Sequence, residues 1–567
     1  MLLDKGVTAC VTAWMIFATP VHSVSRPRAT TSRPMENLGR GVVAVRANET
    51  NVLVGWRLLG LDPDDIGFHV YRVTGSGEAE RITPDVLTDG TNFVDSDADL
   101  TKSNTYSVAP VVDGKEQEVT GNFTLPANNP EGPVVRVPIR SGAQIKFVWV
   151  GDLDGDGEYD FVLDRHSTTQ SIEAYRSDGA FLWEVDMGAN SKNQDNIEPG
   201  SSAINTGHWD GVTVYDLDSD GCAEVAVRIA NGVKLGNGET FEEGESDDEQ
   251  FIGILDGKTG ALRASRKLTT EYISDGPLGA RLGVGYLDGE RPHLVGFMKN
   301  RQSKGDFNLI EAAWTFDGSD ITLEWEWKRG DEDAPDGHNT RIIDVDGDGK
   351  DEVAEIGFLL NGDGTLRYSL GPVGVVHGDR YHIAKMDPSR DGLQGYGIQQ
   401  DNPDLLYEYY YDATDGKILW KHFGEEVGDV GRGMAGDIDP HYDGYEVWSF
   451  EGIYNAATDK LTGDNADLAP WPQLGIWWDG DELMELYNDG RIEKWDWENP
   501  TSSGDLSRLV TISNFGAVNP NNRNPGFIGD ILGDWREEVI VTSKDNDELI
   551  IFTTNIPSDI RLYTLPQ

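Results

Sequence analysis

The sequence predicts an all-β protein that consists of a small β-sandwich followed by an eight-bladed β-propeller. Three observations predict this fold. An acidic loop followed by a short apolar strand recurs about once every 55 residues from residue 131 onwards. Nothing in that region repeats with the period of an α-helix. Glycine provides 67 of the 567 residues, about 12% against about 7% in average proteins, and turn-rich β folds use glycine in this way.

The composition limits the classes of partner. The chain has 99 acidic and 47 basic residues, which gives a formal net charge of −52. Nucleic acids and anionic membranes require a basic surface, so the charge disfavours both as partners. Hydrophobic residues make up 38% of the chain, enough for a sizeable core, and two cysteines are too few for a disulfide scaffold. We expect a monomer.

The N-terminus has the pattern of a secretory signal. Residues 6–18 form an apolar run that is shorter than the roughly 20 residues of a membrane-spanning helix. Val21 and Ser23 provide small residues before a cleavage site, so residues 1–23 are predicted to be a signal peptide. Residues 24–35 are rich in Ser, Arg, Thr and Pro and are interpreted as a linker. The sequence therefore predicts a secreted, extracellular protein.

Residues 36–130 are predicted to form the β-sandwich. Short apolar runs alternate there with turn residues, as expected for strands. These runs are residues 41–45, 52–56, 68–71, 92–94 and 106–112. Trp56 in an early strand and a Tyr106 that resembles a tyrosine corner make the segment similar to a fibronectin type III domain. A carbohydrate-binding role is one interpretation. A packing or spacer role is favoured, because the sequence reveals no exposed aromatic platform or metal cluster there.

Residues 131–567 carry the repeat. The motif reads Asp-x-Asp-x-Asp-Gly-x-x-Asp/Glu and leads into a short apolar strand. Near-complete copies begin at Asp152, Asp216 and Asp344; the weaker or degenerate copies begin at Asp387, Asp437, Asp530, Leu287 and Trp478. Eight units of about 55 residues match four short strands with their turns, which need about 40–50 residues. A seven-bladed alternative would need about 62 residues per blade and would discard one copy.

The acidic loops have the spacing of a calcium site. Carboxylates at positions 1, 3, 5 and 9, a backbone carbonyl at position 7 and a glycine bend at position 6 can surround a hard cation, and several oxygen ligands suit Ca²⁺ better than Mg²⁺. The alternative, solvated acidic turns, does not explain the repeated glycine. The predicted calcium ligands are Asp152, Asp154, Asp156, Glu158, Asp160, Asp216, Asp218, Asp220, Cys222, Glu224, Asp344, Asp346, Asp348, Lys350, Glu352, Asp437, Asp439 and Asp530.

Four polar clusters precede later copies of the motif by a few residues. In a propeller they would fall on one face, near the central opening. Each His or Arg alone is usually structural, but four clusters at one register point to a site. The clusters contain His338, Asn339, His377, Asp379, Arg380, His382, Arg432, Asn522 and Arg523.

Several longer sequence segments resemble those of the rhamnogalacturonan lyases of polysaccharide lyase family 11. They include residues 35–45, 150–158, 286–292, 429–434 and 530–538, and the similarity extends over nearly the whole chain from residue 35. The resemblance implies a β-sandwich followed by an eight-bladed, calcium-rich propeller. It also implies β-elimination in the rhamnose–galacturonate backbone of rhamnogalacturonan I, an acidic polysaccharide of the plant cell wall.

The resemblance also implies residue roles. Arg432 would bind the uronate carboxylate, and His338, His377 and Asp379 would contact a calcium ion or the substrate. Asn339, Arg380 and Asn522 are further expected substrate contacts. This chain departs from the bacterial members at two places: Arg523 stands near a lysine that is a candidate base, and His166 stands where an aspartate is found. The expected proton acceptors are therefore Arg523, His377 and His382, and His166 is expected to bind substrate.

Two other functions compete with a lyase. A non-catalytic, calcium-stabilised propeller would bind acidic polysaccharide without cleaving it, and the missing lysine and the short C-terminus favour this alternative. A glycoside hydrolase would need a paired acid and base about 5–10 Å apart, which the sequence does not mark. The closing strand of the last blade is either missing or supplied from elsewhere, with residues 131–150 as the candidate segment.

Overall fold

The computed structural model describes residues 33–191, 204–206, 210–247, 249–303, 306–462, 469–498 and 506–565. The predicted signal peptide and most of the predicted linker lie outside these residues. The described part of the chain is all-β, as predicted, with 41 strands. Its short 3₁₀ helices are Ala189–Ser191, Ile273–Asp275, Gly371–Val373 and Ile512–Phe515. Within the described residues, none of the helices has the length and apolar character required to span a bilayer.

Two N-terminal sheets pack face to face. One has the order β1-β2-β5; the other has the order β4-β3-β6-β7, with β8 also pairing with β6. The strands are β1 Val43–Arg46, β2 Val52–Gly55, β3 Gly67–Thr74, β4 Ala79–Arg81, β5 Asn92–Asp95, β6 Asn104–Val112, β7 Lys115–Glu116 and β8 Thr120–Leu125. Trp56, Phe68 and Tyr106 are fully buried between the two sheets. The Tyr106 hydroxyl donates to the Asp95 carboxylate at 2.9 Å, whereas a tyrosine corner bonds to the backbone.

Eight further sheets follow one another along the chain, and we number them I to VIII. Each is built from consecutive antiparallel strands. The strands of sheets I to IV are β10 Val148–Gly151, β11 Asp160–His166, β12 Gln170–Tyr175, β13 Phe181–Asp186; β14 Val212–Tyr215, β15 Glu224–Ile229, β16 Phe251–Leu255, β17 Leu262–Lys267; β18 Gly279–Gly285, β19 His293–Ser303, β20 Asp306–Phe316, β21 Ile321–Lys328; β22 Arg341–Ile343, β23 Glu352–Ala354, β24 Phe358–Leu360 and β25 Leu366–Ser369.

The remaining sheets repeat this arrangement. Sheets V to VII contain β26 Tyr381–Ala384, β27 Gln394–Ile398, β28 Leu406–Asp412, β29 Ile418–Phe423; β30 Met434–Gly436, β31 Glu446–Trp448, β32 Ile453–Asn455, β33 Lys460–Leu461; β34 Leu474–Ile476, β35 Glu485–Tyr487, β36 Arg491–Trp495 and β37 Leu506–Thr511. Sheet VIII contains β38 Ala517–Val518, β39 Phe527–Gly529, β40 Glu538–Ser543 and β41 Glu548–Phe552, and it is completed by β9 Val134–Pro138.

Strand β9 closes the last sheet from the other end of the chain. It pairs antiparallel with β41, with Val134 opposite Phe552 and Pro138 opposite Glu548. A closing strand from residues 131–150 was predicted, and the pairing confirms it. Val137 and Leu549 are buried in a core that also contains Val148 and Tyr175 of sheet I. The closing strand therefore joins the first sheet of the series to the last.

Tryptophans on outer strands connect neighbouring sheets. The indole N–H of Trp183 in sheet I donates to the Gly257 carbonyl of sheet II at 2.7 Å. Trp325 of sheet III bonds to Gly362 of sheet IV, and Trp420 of sheet V bonds to Ala456 of sheet VI, both at 2.9 Å. The first strands of many neighbouring sheets also lie side by side, as β10, β14, β18 and β22 do.

The two ends of the sheets carry different chemistry. The acidic motif lies in the turn between the first and second strands of a sheet, and we call this end the acidic-loop end. The entry end is the opposite one, where the first strand begins. The N-terminal sandwich packs against the acidic-loop end: Arg57 donates to the carbonyls of Gly157 and Ile531. Residues 33–35, predicted as linker, are packed there too, because Arg33 contacts Asp351 at 3.2 Å.

Candidate active site and cation-binding loops

The first carboxylate of each complete acidic loop holds the turn together. Asp152 accepts three backbone N–H bonds, from Gly155, Asp156 and Gly157. Asp344 accepts the three equivalent bonds in its loop, and Asp216 accepts two, from Asp220 and Gly221. The sixth residue of each loop has a left-handed backbone, with φ of 88° at Gly157, 92° at Gly221 and 91° at Gly349. A side chain would strain this conformation, which explains the repeated glycine.

The carboxylates of these loops converge. One oxygen from each member of three groups lies within 4.8 Å of the others: Asp152, Asp154 and Asp160; Asp216, Asp218 and Glu224; Asp344, Asp346 and Asp348. An all-oxygen donor set of this kind fits Ca²⁺. Cys222 and Lys350, the predicted residues at position 7, lie in the same turns. The backbone N–H of each donates to the carboxylate at position 5 of its loop. Glu158 instead faces Arg57 at 3.5 Å.

The last carboxylate of each loop is buried, and in two loops an arginine contacts it: Arg263 pairs with Glu224, and Arg367 lies 2.6 Å from Glu352. Burial, followed by repulsion from neighbouring carboxylates, raises the pKa of Asp160 to about 7. The same causes raise the pKa of Glu224 to about 8, and burial raises that of Glu352 to about 7. Buried carboxylates with raised pKa values need either a proton or a cation. The acidic clusters that the sequence predicted are therefore present, and their chemistry suits a metal ion.

The loop at Trp478 differs from this pattern. Asp479, Asp481 and Glu485 converge as in the other loops, but the Lys494 ammonium lies 2.5, 2.5 and 3.1 Å from their carboxylates. Trp477 occupies the place of the first aspartate, because the backbone N–H of the next residue bonds to Glu485 as that of Leu153 bonds to Asp160. The sequence predicted a copy that had lost most ligands. The structure instead shows three converging carboxylates with a lysine among them, much as Arg263 lies among the carboxylates of the loop at Asp216.

The weaker predicted copies are only partly formed. Asp437 keeps a buried Oδ1 atom without a hydrogen-bond partner, and burial raises its pKa to about 6. Asp439 bonds to His441 at 2.8 Å. Asp530 accepts bonds from the Thr564 hydroxyl and the Leu565 N–H, both at 2.8 Å, and therefore anchors the C-terminal segment. Its other oxygen, Oδ1, is buried without a hydrogen-bond partner, and burial raises the pKa of Asp530 to about 7.

Two histidines and an aspartate meet at the entry end. His338 Nε2 lies 3.2 Å from Asp379 Oδ1, and His377 Nε2 lies 3.9 Å from the same oxygen. The two imidazole rings are edge to face with centroids 5.1 Å apart. His377 Nδ1 lies 3.3 Å from Asp336. One donor atom from each of His338, His377 and Asp379 can therefore reach a common cation.

Backbone pairing explains why these residues meet. Isolated bridges join Asp336 to His377, His377 to Gln400 and Gln400 to Asp429. These four segments precede or follow strands in sheets IV, V and VI, so consecutive sheets present their entry ends to one another. The sequence prediction that the polar clusters share one face agrees with this geometry for His338, His377, Asp379 and Arg432.

The surroundings of the cluster favour an ionised Asp379 and shift the pKa values of the two histidines in opposite directions. Burial raises the pKa of Asp379, but its bond to His338 and the nearby positive charges outweigh this and hold the pKa below the usual range. Burial also lowers the pKa of His338 below its usual range. The pKa of His377 is lowered by burial but raised more strongly by Asp336, so the net shift is upward. Asp379 is thus a carboxylate flanked by two imidazoles of different basicity.

Two arginines lie next to this cluster. Burial, and then the charges of Arg432 and Arg341, lower the pKa of Arg380 below its usual range. Arg432 donates to the Gly431 carbonyl at 2.9 Å, and its buried Nε has no hydrogen-bond partner. Two guanidinium groups that repel each other in a partly buried position form a binding place for an anion. The sequence predicted Arg432 and Arg380 separately, and the structure brings them together.

Several predicted site residues are placed differently. The His166 side chain is 1% exposed and lies 2.6 Å from Asp164, so it supports β11 instead of facing substrate. His382 bonds through Nε2 to the Gly433 carbonyl at 2.9 Å, and burial lowers its pKa to about 4, which makes it a weak proton acceptor. Arg523 has a 67% exposed side chain and lies 3.9 Å from Asp489. Neither His382 nor Arg523 has the environment of an efficient base.

The other predicted contacts lie at turns. Asn522 is exposed at the tip of the turn that joins Asn521 to Asn524. The Asn339 carbonyl accepts the Tyr381 hydroxyl at 3.0 Å. Both residues lie at the entry end.

Sequence reasoning missed the residues behind the cluster. The Lys299 ammonium is 2% exposed, donates to the Gly337 carbonyl at 2.7 Å and lies 3.5 Å from Asp336. Burial lowers its pKa to about 8. Glu311 and Glu355 face each other in full burial, which raises both pKa values. These residues come from the interiors of strands or from their ends, where the sequence offers no motif.

Two family models match the chain. A family model described as "Rhamnogalacturonan lyase family 11, C-terminal domain" matches residues 124–567, and one described as "Rhamnogalacturonan I lyases beta-sheet domain" matches residues 33–125. The first covers more than half of the chain.

The chain belongs to rhamnogalacturonan lyase family 11.

Relatives within rhamnogalacturonan lyase family 11 match over most of their length. Rhamnogalacturonan endolyase YesW of Bacillus subtilis (strain 168) is 34% identical over 596 aligned positions, which cover 97% of this chain and 90% of the relative. Rhamnogalacturonan exolyase YesX of the same organism is 33% identical, with 94% and 91% covered. The solved structure of a Bacillus licheniformis rhamnogalacturonan lyase has a TM-score of 0.82 at 32% identity, with 94% and 93% covered. Membership confirms the prediction of a polysaccharide lyase.

Proposed function

We propose that the protein cleaves the rhamnose–galacturonate backbone of rhamnogalacturonan I by β-elimination. One observation carries the proposal: Arg380 and Arg432 lie together beside the His338, His377 and Asp379 cluster at the entry end. This arrangement offers positive charge to a uronate carboxylate in an otherwise acidic protein. The printed names of the relatives, endolyase and exolyase, support the same substrate.

The arrangement of sheets supports the finer fold proposal. Eight consecutive sheets, first strands side by side, and a last sheet closed by β9 are the features of an eight-bladed β-propeller of residues 131–567. We further propose that residues 36–130 form a fibronectin-III-like sandwich and that residues 1–23 direct secretion. The sandwich covers the acidic-loop end, so the entry end is the face left for a polymer.

The reaction requires removal of a proton next to a carboxylate. Arg432, with Arg380 behind it, would bind the uronate carboxylate and stabilise the charge that develops on its oxygens during proton removal. As the C5 proton passes to a base, the C4–O bond breaks, a C4–C5 double bond forms, the oxygen of the leaving 4-linked sugar takes up a proton, and no water is added. Binding of the carboxylate would also relieve the repulsion between the two guanidinium groups.

We propose cation sites of two kinds. The acidic loops fit Ca²⁺, because their donors are carboxylate and carbonyl oxygens. His338, His377 and Asp379 would hold a divalent cation at the site, which would supply electrostatic stabilisation of the substrate carboxylate. Two imidazole nitrogens are more usual ligands of ions such as Zn²⁺ or Mn²⁺. Calcium in the loops and the ion at the histidines are therefore separate hypotheses.

His377 has two proposed roles with opposite expectations. As a cation ligand, His377→Gln should weaken cation binding at the site and lower turnover together. As a proton acceptor, the same variant should keep cation affinity and lose turnover only. We propose the ligand role, because three donor atoms already converge there. Cation titration of the variant by calorimetry, beside its turnover, separates the two.

The ultraviolet absorbance of the new C4–C5 double bond tests the function. Purified protein is incubated with rhamnogalacturonan I, with added calcium and with excess chelator. A rise in absorbance that chelator stops is the expected result. Reducing ends without absorbance would instead identify a hydrolase, and binding without any product would identify a non-catalytic propeller. Melting curves of the same samples show whether the chelator acts on the site or on the whole fold.

A further inference from the structure

Two exposed aromatic rings lie at the entry end beside the candidate site. Phe450 is 43% exposed and Trp471 is 50% exposed. Their ring centroids are 5.2 Å apart, with 57° between the planes. Phe450 follows β31, whose last residue, Trp448, pairs with the first residue of β30, Met434. Phe450 is therefore at the same end of sheet VI as Arg432.

Hydrogen bonds fix the pair next to Arg432. The Ser449 hydroxyl donates to the Arg432 carbonyl at 2.7 Å, and the Tyr407 hydroxyl donates to Ser449 at 3.2 Å. The backbone N–H of Phe450 donates to the same Tyr407 hydroxyl at 3.1 Å. Three buried or half-buried bonds thus connect the backbone of Arg432 to the backbone of Phe450.

Hydrogen bonds also hold the segment around Trp471, on the side that faces sheet VIII. The Trp448 indole donates to the Pro470 carbonyl at 3.0 Å, which anchors the residue before Trp471. Two residues later, the Gln473 amide donates to Asn524 at 2.6 Å and to the Arg523 carbonyl at 3.3 Å. The aromatic pair therefore lies between the Arg432 segment and the Arg523 turn, both of which the sequence placed at the site.

We propose that Phe450 and Trp471 form a subsite for the rhamnose unit adjacent to the uronate at Arg432. The proposal rests on the proposed function. An alternating polymer whose galacturonate binds Arg432 places rhamnose on both sides of it. Rhamnose is uncharged and carries a methyl group, so it offers an apolar face to an aromatic ring. The neighbouring exposed Glu451 would repel a second uronate. Exposed apolar patches of this kind are typical of binding surfaces.

Steady-state kinetics of Trp471→Ala and Phe450→Ala test the subsite. Each variant should raise KM for the rhamnogalacturonan I polymer about fivefold to tenfold with kcat changed less than about twofold, because a contact made equally in the ground and transition states affects KM alone. Phe181→Ala is the matched control. Phe181 is 39% exposed but lies at the acidic-loop end, so its loss should leave KM unchanged.

Direct binding separates this proposal from the proposed function. The affinity of the polymer for the wild-type protein and for Trp471→Ala is measured by calorimetry, with polygalacturonate, which lacks rhamnose, as the second polymer. A loss of affinity for rhamnogalacturonan alone supports the subsite, even if no lyase product forms. Wild-type affinity and KM in both variants, with lyase activity intact, would overturn the subsite and leave the function standing. An equal loss with both polymers would also overturn it.

Discussion

Arg432 is the residue on which the proposed chemistry depends most. We expect Arg432→Ala and Arg432→Lys to lower lyase kcat/KM about 100-fold or more, because each removes the forked donor that would bind the developing charge. Initial rates of double-bond formation measure this. Arg390→Ala is the control, since Arg390 pairs with Asp387 and Asp412 at the acidic-loop end. Wild-type turnover in Arg432→Lys would remove Arg432 from the site.

Single residues also show where sequence reasoning ends. His338, His377 and Arg432 were found because each lies just before a recognisable repeat. Asp336 and Lys299 were not assigned, since their contact joins a loop before sheet IV to a strand of sheet III. His166 was misplaced, because a motif position does not reveal that its ring turns inward to Asp164. Contacts between distant elements require the fold.

At the scale of elements, the acidic loops predict an unusual response to pH. The folded state raises the pKa of Asp160 to about 7 and that of Glu224 to about 8, whereas unfolded carboxylates titrate near 4. Without a cation, these groups stabilise the folded protein most below about pH 4 and lose that contribution as the pH rises through about 7 to 8. We expect a lower urea midpoint for chelated protein at pH 8 than at pH 5.

Calcium should remove that difference, because a bound cation replaces the protons. The same urea titrations with excess calcium provide the comparison. Equal midpoints at both pH values in chelator, or a higher midpoint at pH 8, would contradict the assignment of these buried carboxylates as groups that need a proton or a cation.

The loop of sheet VII should respond differently. Lys494→Met leaves Asp479, Asp481 and Glu485 without their cation, so we expect a loss of about 1–3 kcal/mol in the free energy of unfolding. Added calcium should restore part of this loss in the variant, because the three carboxylates regain a cation. Chemical unfolding with and without calcium measures both effects. Wild-type stability in the variant would show that the lysine contributes little.

The loops were the easiest elements to predict, and the strand positions of the sandwich followed from turn residues. The eight-sheet count came from the repeat length. The cation of sheet VII was beyond sequence reasoning, because Lys494 lies in β36, well after the loop it neutralises. Repeats reveal what each unit shares, whereas the basic partner that a loop receives from a later strand leaves no trace in the motif.

At the scale of the whole molecule, stability depends on the closure of sheet VIII by β9. Leu549 is fully buried in the core shared by sheets VIII and I. We expect Leu549→Ala to cost about 2–5 kcal/mol and to lower the melting temperature of the whole molecule. Leu565→Ala, at a 54% exposed position near the C-terminus, should change stability by less than about 0.5 kcal/mol. A local effect confined to the last sheet would argue against closure as a global constraint.

The pairing of β9 with β41 also sets an order of events during biosynthesis. Pro138 and Glu548 are opposite each other, yet 410 residues separate them in the chain. At about 5–20 residues per second, a ribosome needs roughly 20–80 s to make the second strand after the first. During that time the backbone N–H and C=O groups along one edge of β9 are unpaired, and other strands can pair with them incorrectly. The final sheet can form only after β41 has been synthesised.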